Sequence, residues 1–166
     1  MNPLIKGSYC FFLLISLIVA LAFSLPVIAD EPHEGAEHSF HRHHMALFIG
    51  NTQEGDENGV SFGADYEYRF NQIFGIGGIV EYAGGEFEHW LGLVSMFIHP
   101  YGDWRIIMAH GVEFIKGEVE GDFVFRTGIG YQFHFGERYT IAPEFNVDFG
   151  EHETLFVYGI SIGLGF

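Results

Sequence analysis

The sequence is poor in cysteine, in positive charge and in helical periodicity, and each shortage excludes a class of protein. Its one cysteine, Cys10, lies in an apolar stretch near the amino terminus, so the rest of the chain has neither a disulfide framework nor thiol chemistry. Seven Lys and Arg residues stand against 22 Asp and Glu. Because nucleic-acid binding needs basic side chains that face phosphates, we expect no nucleic-acid partner. After Ala29 no long helical pattern appears, which argues against an ordinary helical domain.

The first 29 residues have the pattern of a secretory signal peptide. Lys6 is their only charge, an almost unbroken apolar run covers 9–23, and Val27 and Ala29 occupy the small-residue positions of a cleavage site. The run is nearly long enough to span a bilayer, so an uncleaved anchor is the alternative. Pro26 and the abrupt change to polar residues favour cleavage after Ala29.

From residue 44 onward, apolar and aromatic residues alternate with small or charged residues. In the last segment, for example, Phe156 and Tyr158 share one face while Gly159 and Ser161 share the other. In a membrane barrel the charged parity faces the lumen and the aromatic parity faces lipid, whereas a soluble β-sandwich would reverse the two faces. The signal peptide, the count of eight segments and the carboxyl terminus favour the membrane. The segments are 44–51, 59–70, 74–83, 90–100, 104–115, 123–135, 139–149 and 154–166.

The carboxyl terminus carries a family resemblance. Apolar residues stand at every second position and lead to a final Phe: Tyr158, Ile160, Ile162, Leu164 and Phe166. This pattern resembles the assembly signal of bacterial outer-membrane proteins, whose partner during biogenesis is the barrel assembly machinery. The segments together resemble the small eight-stranded outer-membrane barrels, such as the OmpA-type transmembrane domain and OmpX. The resemblance implies an all-β, eight-stranded antiparallel up-and-down transmembrane barrel, monomeric and located in the cell outer membrane.

Three regions follow: a signal peptide at 1–29, a periplasmic segment rich in His and Glu at 30–43, and the barrel at 44–166. In barrels of this kind both termini lie in the periplasm, which fixes the side of every connection. All connections are short, so we expect no large protein partner at the outer end. The periplasmic turns are 71–73, 101–103 and 136–138, and the outer connections are 52–58, 84–89, 116–122 and 150–153.

The outer connections are strongly acidic. Only Lys116 opposes their negative charge, while Arg69, Arg105 and Arg138 stand at the periplasmic ends. One interpretation is a solvated rim that keeps the chain soluble during transit. The other is a rim that recruits divalent cations, which hard carboxylates bind, and that bridges through them to lipopolysaccharide phosphates. The acidic residues are Glu54, Asp56, Glu57, Glu86, Glu88, Glu118, Glu120, Asp122, Glu151 and Glu153.

Histidines are concentrated before the barrel. Neutral imidazoles beside carboxylates could bind zinc, copper or nickel, which would make the protein an envelope metal-binding protein. Their spacing matches no closed structural zinc site, and an acidic extended segment is more often an unstructured tail. The candidate ligands are His33, His38, His41, His43 and His44.

Eight charged residues fall on the lumen parity and form either a conduction path or a filled core. Eight strands leave an interior about wide enough for side chains alone, and buried charges are tolerated when they are paired. We therefore favour a filled, ion-paired lumen with no cofactor. The residues are Asp65, Glu67, Glu81, Arg105, Glu113, Arg126, Glu144 and Asp148.

A three-residue turn at 136–138 fixes the register of the hairpin around it. In that register Arg126 lies opposite Asp148, and a slip by one residue would send Asp148 into lipid. We predict a lumen ion pair between these two residues, with Glu144 as a diagonal candidate.

An enzyme is the competing class, because some small outer-membrane barrels modify lipid A with a Ser and a His near the membrane. His110 falls on the lipid-facing parity, and one of two possible registers of 90–100 brings Ser95 to the same face. A triad also needs an orienting carboxylate, and that face carries none. We therefore predict no catalytic residues and attribute the odd position of His110 to a bulge near Gly111 that turns it inward.

Overall fold

The computed structural model describes residues 40–117, 121–151 and 154–166, and these form one antiparallel sheet that closes on itself. Each strand pairs with the next along the chain, and the first pairs with the last. The predicted signal peptide, most of the His-rich segment and three rim acids (Glu118, Glu120 and Glu153) lie outside the described residues. Within the described residues, no helix is long and apolar enough to cross a membrane.

Nine strand segments make up the eight strands of the barrel, because β6 and β7 are two parts of one strand that both pair with β8. The predicted all-β, eight-stranded antiparallel barrel is confirmed. The segments are β1 His43–Glu54, β2 Glu57–Arg69, β3 Phe74–Ala83, β4 His89–Ile98, β5 Trp104–Ile115, β6 Asp122–Tyr131, β7 Phe133–Phe135, β8 Tyr139–Phe149 and β9 Thr154–Gly165.

The sequence pattern predicted an unbroken strand where β6 and β7 are separate. Pairing with β8 stops after Gly130 and resumes in the same register at Phe133. That register sets Pro143 opposite Tyr131, and proline has no N–H to donate to the ladder. On its other side the strand continues to pair towards β5, since the backbone N–H of Gln132 donates to the Asp103 carbonyl, at 2.8 Å.

The first outer connection is much shorter than the predicted 52–58. β1 starts at His43, one residue before the predicted boundary, and runs to Glu54. Glu54 pairs directly with Glu57, which leaves a two-residue turn at 55–56. Gly55 has a φ of 55°, a left-handed conformation that glycine adopts without steric cost. The two strands therefore remain paired through most of the predicted connection 52–58, where the sequence alternation did not predict strand.

The faces of the barrel follow the predicted assignment, with apolar side chains outward on every strand and charges inward. Segment β4, whose register was ambiguous, points Leu91, Leu93 and Phe97 into the lumen and Trp90 and Val94 outward. The lumen thus contains an apolar cluster that charge parity did not predict. It is formed by Ile79, Leu91, Leu93, Phe97, Ile107, Ala109 and Val124.

The seam that closes the barrel depends on small residues beneath an inward aromatic ring. Gly50 of β1 pairs with Gly159 of β9, and the ring of Phe48 lies over both. A Cβ placed on Gly159 would stand 2.3 Å from the Ile49 carbonyl oxygen and 2.5 Å from the Gly50 Cα. Both obstacles are backbone atoms of the paired strand, so a side chain here would have to move β1 itself.

We predict that Gly159→Ala weakens closure of the barrel. Because the backbone of β1 cannot yield as a side chain can, the free energy of unfolding should fall by about 1–3 kcal/mol, the usual cost of overpacking. Gly92→Ala is the matched control, since a Cβ there meets nothing within 4 Å. It should be neutral or stabilise slightly. Urea unfolding in lipid vesicles measures both, and equal effects of the two substitutions would contradict this account of the seam.

Candidate functional site

Arg126 lies at the centre of a buried ion cluster in the lumen. It stands opposite Asp148 in the β6–β8 ladder, in the register derived from the turn. Its Nε lies 2.5 Å from Asp148 Oδ1 and its Nη2 lies 2.6 Å from Oδ2. Across the lumen, Nη1 donates to Glu81 Oε2 of β3 at 2.7 Å. The planar guanidinium suits two carboxylates at once, because its donors form a rigid fork.

Glu144 does not belong to this cluster, and its prediction as a diagonal partner of Arg126 is wrong. In both neighbouring strands Glu144 is paired with a glycine, Gly130 on one side and Gly159 on the other. Because neither glycine has a side chain, the carboxylate has room to bend towards other residues. Its Oε1 accepts from Arg105 Nη1 at 3.2 Å and from Ser161 Oγ at 2.7 Å.

Arg105 forms the second cluster. Its Nη2 donates to Asp65 Oδ1 at 2.8 Å, and its Nη1, which contacts Glu144, also lies 3.3 Å from Asp65 Oδ2. The guanidinium carbon lies 4.3 Å from the centre of the Phe97 ring, a distance that gives a cation–π contact. Arg105 is fully buried and Arg126 is 2% exposed. Each cation therefore joins strands on different sides of the lumen.

A third group of polar side chains continues from Arg105 towards the end of the barrel where β1 begins and β9 ends. Glu67 lies 3.8 Å from Arg105 Nε and accepts hydrogen bonds from His99 at 2.8 Å and from Arg69 at 3.2 Å. Arg69 Nη2 also donates to Gln132 at 3.1 Å. The side chains of Glu67 and His99 are almost fully buried.

At the opposite, outer end the lumen contains a separate buried pair. His89 Nδ1 lies 2.5 Å from Glu113 Oε1, and both side chains are about 5% exposed. Thr52 and Ser61 hydrogen-bond to each other at 2.5 Å near the same end. All eight charged residues assigned to the lumen are thus buried, and ion pairs occur along its length.

Two of the lumen histidines, His89 and His99, were missed by the sequence reasoning. Both lie on the inward parity of β4 or its extension, where the apolar residues of both faces obscured the register. A signal was present in the neighbouring strands. Glu81 and Glu113 each pair with Leu91, so inward charges on both sides place Leu91 inward, and His89 and His99 with it.

The Ser–His arrangement considered for an enzyme is not assembled. His110 is exposed on the outer face, and Ser95 is buried on the lumen face. The pairing of β5 with β4 and β6 runs without a break through Gly111, so the predicted bulge that turns His110 inward is wrong. The two side chains are on opposite sides of the wall and cannot act together.

His43 and His44, two of the predicted metal ligands, lie on opposite faces of the barrel wall. His43 stacks on Phe166 and contacts the Tyr66 hydroxyl outside the wall, whereas His44 points into the lumen. One ion cannot bind side chains on both faces. His33 and His38 lie outside the described residues. In the described ranges, no three His, Cys, Asp or Glu side chains are placed to hold a metal ion.

The outer rim retains a large excess of negative charge. Lys116 pairs with Glu88 at 2.7 Å, and this carboxylate raises the pKa of the lysine by hydrogen bonding and by charge attraction. The Glu86 carboxylate accepts a hydrogen bond from the backbone N–H of Asn58 at 2.9 Å. The exposed carboxylates of Asp56 and Glu57 face solvent at the first outer turn.

Comparisons with known proteins identify the fold. No protein-family model and no curated protein matches the sequence. Among solved structures, the chain is similar to the N-terminal β-barrel domain of Pseudomonas aeruginosa OprF, with a TM-score of 0.57 and 12% identity over 76% of this chain and 98% of that one. It is also similar to Ail of Yersinia pestis in complex with the heparin analogue sucrose octasulfate. The TM-score is 0.53, and the identity is 15% over 75% of this chain and 96% of that one.

Neisserial surface protein A gives a TM-score of 0.50 and 7% identity over 75% of this chain and 96% of that one. At these identities the likeness concerns the fold. The fold is that of the small eight-stranded outer-membrane β-barrels.

We predict that Arg126→Met is far more destabilising than the loss of either of its partners. The substitution leaves two carboxylates facing each other in a dry lumen, which should cost about 3–5 kcal/mol of unfolding free energy. Asp148→Asn leaves Arg126 paired with Glu81 and should cost less. The triple variant Arg126→Met/Glu81→Gln/Asp148→Asn should recover most of the loss. Urea unfolding checks the series, with exposed Arg42→Met as control, and a triple variant as unstable as Arg126→Met would refute the cluster.

Proposed function

We propose that the chain is a monomeric structural protein of the outer membrane, with a lumen sealed by ion pairs and an outer rim that associates with lipopolysaccharide through divalent cations. The observation that carries the proposal is the pair of guanidinium groups, Arg105 and Arg126, that cross the lumen. Each binds carboxylates from two different strands. The polar groups that can bind other molecules are therefore those at the two ends of the barrel.

We infer that the lumen is sealed because opening it would require a large free energy. Any solute that passes would have to displace Arg105 from Asp65 and Glu144, or Arg126 from Glu81 and Asp148. Separating one partner of a buried pair exposes an uncompensated charge, which costs several kcal/mol. The apolar cluster beside these ions offers no replacement ligands. Transport is therefore the less favoured role for this barrel.

The rim is the surface through which we propose that the protein acts. Its described carboxylates stand on all four outer connections, and Lys116 is the one Lys or Arg among the described rim residues. Lipopolysaccharide phosphates and these carboxylates would repel each other directly. A divalent cation can bind a carboxylate oxygen and a phosphate oxygen at the same time, so it would link the rim to lipopolysaccharide. The same charge argues against a polyanion such as the one bound to Ail.

We predict that Mg²⁺ or Ca²⁺ increases the affinity of the folded barrel for lipopolysaccharide. The increase should be roughly fivefold or more over K⁺ at equal ionic strength, as expected for coupled ligands. Binding can be measured by titrating lipopolysaccharide into barrels held in nanodiscs. The variant Glu54→Gln/Asp56→Asn/Glu57→Gln should lose part of the increase, and dephosphorylated lipopolysaccharide should show none. Equal binding in K⁺ and Mg²⁺ would contradict the bridging role.

A further inference from the structure

A gap in the belt of outward aromatic residues lies at the outer end of β1. In the outer half of every other barrel strand an aromatic side chain points outward, as expected where a transmembrane barrel meets the lipid headgroups. β1 instead points Asn51 and Gln53 outward, and Gln53 is paired with Asn58 of β2. We refer to these three residues as the amide patch. The aromatic residues on the other strands are Phe62, Tyr82, Trp90, Phe114, Phe123, Phe149 and Phe156.

The amide patch lies at about the depth of the aromatic belt and not beyond it. Asn51 pairs with Tyr158 of β9, and Gln53 pairs with Phe156. The Cα atoms of paired residues are about 4.5–5.5 Å apart, so their depths in the membrane differ by no more than that. Because Asn58 is paired with Gln53, the third amide lies close to the same level. All three side chains are therefore at the level of lipid headgroups.

Tyr158 holds two of the amides in place. The Asn51 Nδ2 atom donates to the Tyr158 hydroxyl at 3.3 Å, and this hydroxyl lies 3.5 Å from Gln53 Oε1. Gln53 Nε2 donates to the Gly55 carbonyl at 3.2 Å. Side chains that are already held in one position lose less conformational entropy when a ligand binds. The patch is thus partly organised for binding.

The amide patch keeps unused hydrogen-bonding groups. Within the described ranges, Asn51 Oδ1 and the side-chain amide of Asn58 have no hydrogen-bond partner, and Gln53 Nε2 keeps one N–H. The side chains of Gln53 and Asn58 are exposed. An amide has donors and an acceptor, and it therefore matches a hydroxyl group, which both donates and accepts.

Charge near the amide patch does not favour a phosphate, which cationic side chains bind most strongly. β1 contains no Lys or Arg, and Arg69, the one basic residue of β2, is at the opposite end of that strand. The three amides are neutral. The patch therefore matches a headgroup that is rich in hydroxyl groups.

We propose that the amide patch binds the saccharide headgroup of lipopolysaccharide, which rests on the proposed association of the outer end with this lipid. A saccharide supplies hydroxyl groups at the depth where the amides lie. Glu54 and Asp56 follow Gln53 on the same hairpin, within about 10 Å along the chain. One lipopolysaccharide molecule can therefore contact the amides through its sugars and the rim carboxylates through its phosphates and a divalent cation.

The test isolates the saccharide from the phosphates. Dephosphorylated lipopolysaccharide is titrated in KCl, without divalent cations, into barrels held in nanodiscs. We expect saturable binding, which Gln53→Leu should weaken about fivefold, the effect of one neutral hydrogen bond. Asn51→Leu/Gln53→Leu should weaken it about tenfold or more. Heat-modifiable migration shows that each variant is folded.

Gln72→Leu is the matched control, because it makes the same change in an exposed turn at the opposite end of the barrel. It should change the affinity by less than about twofold, as surface substitutions do. Phosphatidylethanolamine, which has no saccharide, should bind equally to wild type and to Gln53→Leu. The proposal is overturned if dephosphorylated lipopolysaccharide does not bind, if Gln53→Leu and Gln72→Leu behave alike, or if Gln53→Leu weakens phosphatidylethanolamine binding to the same extent.

The amide patch and the bridging rim can fail separately. Gln53→Leu leaves the rim carboxylates unchanged, so it should keep the increase in affinity that Mg²⁺ gives with phosphorylated lipopolysaccharide. Absence of that increase in the wild type contradicts the bridging rim, whereas the titration in KCl alone decides the amide patch.

Discussion

Guanidinium–carboxylate pairing inside a narrow lumen is the constraint on which the rest of this barrel depends. Arg105 and Arg126 cannot reach water, so each needs acceptors from the surrounding wall. Those acceptors come from β2 and β8 for Arg105 and from β3 and β8 for Arg126. Strand register is then constrained around much of the barrel at once, because a slip in one strand would send its carboxylate into lipid.

Glycine and apolar residues determine how the side chains around the ion pairs pack in the lumen. Glu144 can reach Arg105 because the residues paired with it, Gly130 and Gly159, have no side chains. The same Gly159 lets β1 approach β9 beneath the ring of Phe48. The apolar cluster around Phe97 packs among the ions and provides the ring on which Arg105 lies. Its members alternate with the charges, since Leu91 pairs with Glu81 and with Glu113, and Ala109 pairs with Arg126.

Alternation in the sequence was enough to predict the fold, the outward face and the opposition of Arg126 and Asp148, because these depend on neighbouring strands. It could not predict that Arg126 also binds Glu81 or that Glu144 binds Arg105. Those contacts cross the lumen between strands that are not adjacent, and they depend on how the closed barrel is staggered. The ambiguity of β4 had another cause, since both of its faces are apolar. His44 lies against Thr140, 96 residues away, and no local pattern indicates such a contact.

Whether the buried ion clusters seal the lumen can be measured as conductance across a planar lipid bilayer. Folded barrel, verified by its heat-modifiable migration, is inserted from detergent into a membrane bathed in concentrated KCl. We expect insertion without discrete conductance steps at either polarity, because Arg105 and Arg126 stay bound across the lumen. Reproducible unitary steps from the wild-type barrel would show instead that the lumen is open.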